Sequence, residues 1–164
     1  MVPVSVQELA AGPELAATAP ARPNRITYAG AFVVSASVAG RSQILAFLPG
    51  DPQIRQLTEG DWDNRDPAVS PNLDQLAFSS HRDGNWELYL LDLLTGELRR
   101  LTGTPGFEGN PTWSPDGLWL AYEAHYADDF NIWILPIDGS QSPVQLTDHP
   151  AADIAPSWDP GGRR

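Results

Sequence analysis

The chain of 164 residues contains no cysteine and no lysine. Without cysteine there is no disulfide framework, no thiol nucleophile and no cysteine-based zinc site, and the compartment is left open. Without lysine, the basic side is made of 10 residues, all arginine, against 21 acids, for a formal net charge of −11. A balance of that sign repels a nucleic-acid backbone and an anionic membrane surface alike. No stretch approaches the ~20 apolar residues of a membrane-spanning helix. The sequence also lacks G-x-S-x-G, since its nearest approach, "GRSQI" from Gly40, ends in Ile44. The nucleophile elbow of a serine hydrolase is therefore absent. No cofactor motif is present and no cofactor is expected. His81, His125 and His149 are the only histidines. The first two fall at equivalent points of an internal repeat, which favours a shared structural role at the end of a strand over catalysis or metal binding.

Residues 1–22 are rich in Ala, Pro and Glu, and Gly12-Pro13 interrupts any helix, so this stretch reads as a flexible tether. Arg22 and Arg25 then precede the apolar run of "RITYAGAFVVSASVAGR", which ends in small residues as a secretion signal does. Its place well inside the chain weighs against that reading, as does the fit of Ala31-Phe32 to a strand of the repeat.

From there the chain repeats itself. Leu57-Thr58, Leu101-Thr102 and Leu146-Thr147 recur at intervals of 44 and 45 residues, and so do Pro67, Pro111 and Pro156. In the same register Ser70-Pro71 matches Ser114-Pro115, Leu76-Ala77-Phe78 matches Leu120-Ala121-Tyr122, and His81 matches His125. Glu87 to Leu91 likewise matches Asn131 to Leu135. "QLAFS" and "WELYLLDL" alternate apolar with polar or small residues, as half-buried strands do, while "SPDG" and "RDGN" carry turn chemistry. Each copy thus predicts four strands: a over 68–70, b over 75–79, c over 86–93 and d over 98–102. A period of 40 to 45 residues with four strands per unit is the signature of propeller blades.

The run from "LT" through "PxWSPDG", "LAF", "SxRDGN", an apolar strand and a second "LT" resembles the WD40-like repeat of TolB-type β-propellers. The likeness covers residues 57–164 well, although the first copy has "VSPNLD" where "WSPDG" is expected, and residues 23–58 fit loosely. The expected fold is all-β: a divergent blade over 23–58, blades over 66–102 and 110–147, and the start of another over 155–164. The resemblance implies a ring of six blades, of which this chain holds about three. Three blades form an open arc with exposed flanks, so a homo-oligomer, or further blades from a longer chain, is expected to close it.

In an antiparallel meander the b–c and d–a connections share one end of the strands. Here these loops, 58–66, 81–85, 102–110, 125–131 and 147–155, hold 10 of the 21 acids: Glu59, Asp61, Asp63, Asp66, Asp83, Glu108, Asp128, Asp129, Asp148 and Asp153. Only Arg65 and Arg82 oppose them. An acidic face of this kind attracts basic partners, and Trp62, Phe107, Tyr126 and Phe130 are candidate aromatic anchors on it. The remaining tryptophans fall on strands and read as packing residues. The competing reading is that Asp and Gly are there because turns need them. Asp61, Asp63 and Asp66 also form a candidate calcium set, although "DWDNRD" lacks the Gly and distal Glu of an EF-hand loop.

With no catalytic constellation, the resemblance implies a non-catalytic protein-interaction module, with a protein partner and no nucleic acid or membrane insertion. The alternatives are an accessory propeller of a larger peptidase or hydrolase, and a carbohydrate- or calcium-binding propeller. The family likeness implies a periplasmic or extracellular location.

Overall fold

A computed structural model describes residues 30–126 and 129–161. The 1–22 tether and Asp128 lie outside these residues. The described residues form strands and turns with no helix. Eleven strands make three antiparallel sheets. The first contains β1 (Phe32–Val38), β2 (Arg41–Phe47) and β3 (Ile54–Gln56). The second contains β4 (Asn64–Val69), β5 (Gln75–Ser80), β6 (Glu87–Asp92) and β7 (Leu98–Arg100), the third β8 (Phe107–Trp113), β9 (Trp119–Tyr126), β10 (Asp129–Pro136) and β11 (Val144–Gln145). In each sheet every strand pairs with its neighbour in sequence, which is the meander of a propeller blade.

The repeated motifs have local causes. In "LT", the Leu57, Leu101 and Leu146 amides donate to the carbonyls of Ile44, Leu88 and Ile132, each at 2.8 Å. One residue later the chain leaves the sheet, and the Thr58, Thr102 and Thr147 hydroxyls accept the amides of the same three residues at 2.9 Å. The threonine thus satisfies an amide of strand c that the departing backbone would leave bare. In "SPDG", the Ser114 amide donates to the Trp119 carbonyl, its hydroxyl accepts the Trp119 amide at 2.9 Å, and Gly117 takes φ 71°. The divergent "SPNLD" keeps the same bonds between Ser70 and Gln75, with Leu73 at φ 62° where glycine stood.

Two apolar seams hold the sheets together. Between the first and second lie Ile44, Ala46, Leu76, Phe78, Tyr89 and Leu93. Between the second and third lie Ala77, Leu88, Leu90, Trp113, Leu120, Tyr122, Ala124 and Leu135. Phe78 and Tyr122, at equivalent points of strand b, are fully buried. Trp113 also answers why "WSPDG" carries a tryptophan: its indole N–H donates to the Ala68 carbonyl of the preceding sheet at 2.9 Å. Trp158 does the same to Thr112 at 3.0 Å. Val69 occupies the corresponding place one repeat earlier and has no such donor.

Strand d stops at Arg100 and strand c is one residue shorter at each end than the sequence reading gave, and two larger differences stand out. Strand a is longer, running back to Asn64 and Phe107, because a bulge between Arg65 and Ala68, and again between Gly109 and Thr112, lets pairing resume beyond it. In the divergent copy, the pairing of Val33 with Ala46 and Val34 with Leu45 makes Val33-Val34 the counterpart of Ala77-Phe78. Ala31-Phe32 therefore stood two residues out of register.

Candidate functional site

The d–a and b–c connections do lie together, but they are tighter than the sequence reading supposed. Residues 64–66, 107–110, 125–126 and 129–131 belong to strands, and Tyr126 pairs with Asp129 across the β9–β10 hairpin. The ten acids consequently divide. Glu59, Asp61, Asp83 and Asp148 are exposed, Asp63 and Asp129 are half-buried, and Glu108 is fully buried.

Asp61, Asp63 and Asp66 are not brought to one point. Asp61 pairs with Arg41 at 3.0 Å, and Asp63 accepts the Ser42 amide at 2.7 Å. Asp66 sits on the bulge at φ 55°, where its carboxylate accepts the Ser79 hydroxyl at 3.2 Å and faces the Asn110 amide at 3.5 Å. Each carboxylate is thus committed to a different partner. Among the described residues, no three His, Asp or Glu side chains are placed to hold a metal ion.

The aromatic candidates form part of a row stacked with arginines. Arg82 lies 5.3 Å from the Trp62 ring and 4.4 Å from that of Tyr89. Arg65 lies 3.8 Å from the Trp86 ring and 5.1 Å from that of Phe107. The row continues through Phe107 and Phe130 at 5.5 Å to His125 at 4.8 Å, and His81 stacks on Trp86 at 5.4 Å in the equivalent place. Tyr126 turns inward instead, edge-on to Trp133 at 5.0 Å. Trp62 folds over Gly60, whose φ of 129° and lack of a side chain permit it, since a Cβ there would collide with the indole. The Trp62 N–H is buried and without a hydrogen-bond partner among the described residues.

Beneath this face runs a buried polar seam. Glu87 and Glu108 are both inaccessible to solvent and share the Thr102 hydroxyl at 2.8 and 3.1 Å. Glu87 also accepts Asn85 at 2.9 Å and Arg100 at 2.6 Å, and Thr104 donates to Glu108. Burial, and then the hydrogen bond with Glu87, pushes the Glu108 carboxyl up to about 7. Burial pulls Glu87 upward as well, but the bonds it accepts from Glu108, Thr102, Asn85 and Arg100 carry it below the usual carboxylate value. The two carboxyls titrate as a coupled pair in which Glu108 is the one pushed toward its protonated form. One repeat earlier, Gln43, Thr58 and Asn64 occupy the same positions as a neutral network, with Gln43 Oε1 accepting from both partners at 2.8 and 2.9 Å.

The TolB beta propeller domain family model matches residues 55–164. The chain belongs to this family. It is similar to the TolB-like protein of Agrobacterium tumefaciens, whose solved structure superposes with a TM-score of 0.74 at 27% identity, covering 81% of this chain and 48% of that one. Among curated proteins it is 31% identical over 93 residues to the uncharacterized protein Atu1656 of Agrobacterium fabrum, covering 57% of this chain and 31% of that protein. It is also 31% identical over 87 residues to the Tol-Pal system protein TolB of Desulfosudis oleivorans, covering 53% of this chain and 19% of that protein. The chain thus spans less than a third of these curated relatives. The tricorn protease, at TM-score 0.50 and 16% identity, and an oligogalacturonate lyase, at 0.59 and 17%, share the fold alone.

Within this TolB-type propeller, the stacking of Arg65, Arg82 and Trp86 in this row was not anticipated from sequence, nor was the Glu87–Glu108 pair. A signal for the pair exists. Gln43, Glu87 and Asn131 recur at the repeat spacing, as do Asn64, Glu108 and Asp153, each time as a polar residue flanking the same threonine.

Proposed function

We propose that this TolB-type propeller is a non-catalytic protein-interaction module, periplasmic or extracellular, that docks a basic partner segment on its acidic loop face. The observation that carries this reading is the coincidence of exposed Glu59, Asp61 and Asp83 with the half-buried Trp62 ring. Desolvated aromatic anchors ringed by charge are what concentrates binding energy in an interface, and a field of one sign speeds encounter with its opposite. The Tol-Pal assignment of one relative fits such a role. The test is binding of the whole chain to immobilised arginine-rich and glutamate-rich peptides of equal length. Binding of the basic set that weakens with salt, and is lost when Glu59, Asp61 and Asp63 are changed to Arg, is the expected result. Equal capture of both sets, unchanged by that reversal, would overturn the assignment and leave these acids as turn residues.

A further inference from the structure

Thr102 stands between Glu87 and Glu108, and the hydrogens around it can be counted. Its Oγ1 accepts the Leu88 amide at 2.9 Å and lies 2.8 Å from Glu87 Oε2 and 3.1 Å from Glu108 Oε2. A hydroxyl has one hydrogen to give and two lone pairs to receive with. The hydrogen goes to Glu87, the nearer carboxylate, so Glu108 completes the set only as a donor, with a proton of its own. One repeat earlier no such proton is needed. There Thr58 donates to Gln43, and the Asn64 amide supplies the remaining hydrogen.

The connection 103–106 is fastened to this pair. Thr104 donates its hydroxyl hydrogen to Glu108, and Asn85, which donates to Glu87 at 2.9 Å, also reaches the Thr104 and Gly106 carbonyls at 2.5 and 3.1 Å. Arg100 Nε donates to the Thr102 carbonyl at 2.6 Å. Gly106 presses on β9, where a Cβ would meet the His125 carbonyl at 2.4 Å. Gly103 and Pro105 are exposed, so polar bonds to the pair, and not apolar burial, keep the connection in place. The matching connection of the previous repeat is held by the uncharged Gln43 amide, which donates to the Gly60 and Trp62 carbonyls at 3.1 and 2.9 Å.

We propose that residues 103–106 are a pH-operated flap, closed while one proton lies between Glu87 and Glu108 and released when that proton leaves. With both carboxyls ionised, Thr102 has no second hydrogen to offer. The cation at the pair, Arg100, is already divided between Glu87 at 2.6 Å and Asp83 at 3.2 Å. A buried charge without a partner is strongly destabilising. The backbone of β8 is fixed by its pairing with β9 and by the Glu108 amide, which donates to the Trp86 carbonyl at 2.9 Å. The relief open to Glu108 is therefore to swing its carboxylate toward water and carry Thr104 with it. Burial places the step near neutrality, at about 7. The other groups turned to Glu108 are Tyr122 and Tyr126 of β9, whose hydroxyls burial holds well above the usual phenol range. His125 is on the opposite face of β9, stacked on Phe130. The flap acts in the free chain and needs no partner at the loop face.

Nuclear magnetic resonance of the whole chain from pH 5.5 to pH 8.5 tests this. The Glu108 carboxyl should titrate in one step together with the Thr104 and Gly106 amides. Across that step the protection of the Gly106 amide from exchange, corrected for intrinsic rate, should fall about tenfold or more, while that of Phe78 holds. Glu108→Gln, which keeps a donor toward Thr102 without a charge, should leave the flap closed at both ends of the range. Glu87→Gln with Glu108→Asn, which copies Gln43 and Asn64, should do the same, so the result does not hang on one variant folding. A Gly106 amide whose protection is unchanged while Glu108 ionises, or one that opens equally in the uncharged variants, overturns the proposal.

Discussion

At the scale of single residues, the most consequential side chain is Glu108, because burial beside Glu87 raises its affinity for a proton. The carboxyl ionises at an ordinary value in the unfolded chain and at about 7 in the folded one. Raised folding affinity for a proton is stability fully present below pH ~4.5 and lost as pH climbs through ~7, amounting to ~3 kcal/mol. Glu87 is shifted the other way, so its contribution is present at neutral pH and lost on acidification. The chain is expected to be most stable in mildly acidic solution. Glu108→Gln keeps a donor toward Glu87, as Asn64 donates to Gln43, and should flatten the alkaline side of the profile. Thermal melts of both proteins from pH 5 to pH 9 check this, and parallel profiles would rule out the coupled titration. Nearby, Phe78→Ala should cost ~3 to 5 kcal/mol in denaturant unfolding, since that ring is fully buried between two sheets. Val34→Ala, at the equivalent but 39% exposed position, should cost far less.

At the scale of elements, each turn and strand end shows which local choices are strained. The β1–β2 hairpin turns through Ala39 and Gly40, both at positive φ, 50° and 83°. A two-residue turn of that kind favours Asn-Gly, because asparagine tolerates the left-handed region that alanine resists. Ala39→Asn, at an exposed site, should stabilise by roughly 0.5 to 1 kcal/mol. A raised denaturant midpoint with unchanged slope is the expected reading. Strand protection should also be graded. β5 and most of β9 are buried, whereas β7 and β11 are exposed and short. Amide exchange should be slowest in the former pair and fastest in the latter.

At the scale of the whole molecule, the question is which surfaces are working surfaces. The two internal seams are built from the same strand faces that the outer flanks present to solvent, so the flanks follow from repetition and need no separate selection. The loop face is different. Its charges are unevenly placed, with Arg65 and Arg82 drawn into ring stacks while Glu59 and Asp83 remain exposed. If a basic partner lands there, reversing Asp61 and Asp63 should slow association and flatten its salt dependence. Stopped-flow rates at two ionic strengths give the answer, and unchanged rates would assign those acids to turn chemistry.

The repeat and the four-strand meander of each copy were legible in the sequence, because period, alternation and turn residues act over short stretches and each copy restates them. The candidate site was legible only in outline. Asp61, Asp63 and Asp66 look like one cluster when read along the chain, but a strand, a bulge and a cross-blade arginine send them to three partners. Glu87 and Glu108 lie far apart in sequence and become a coupled pair only when two blades stack and exclude water between them. Local chemistry determined which strands form. Tertiary packing decided which carboxylates face solvent and which titrate together, because the cost of burying charge depends on neighbours that only the assembled seam supplies.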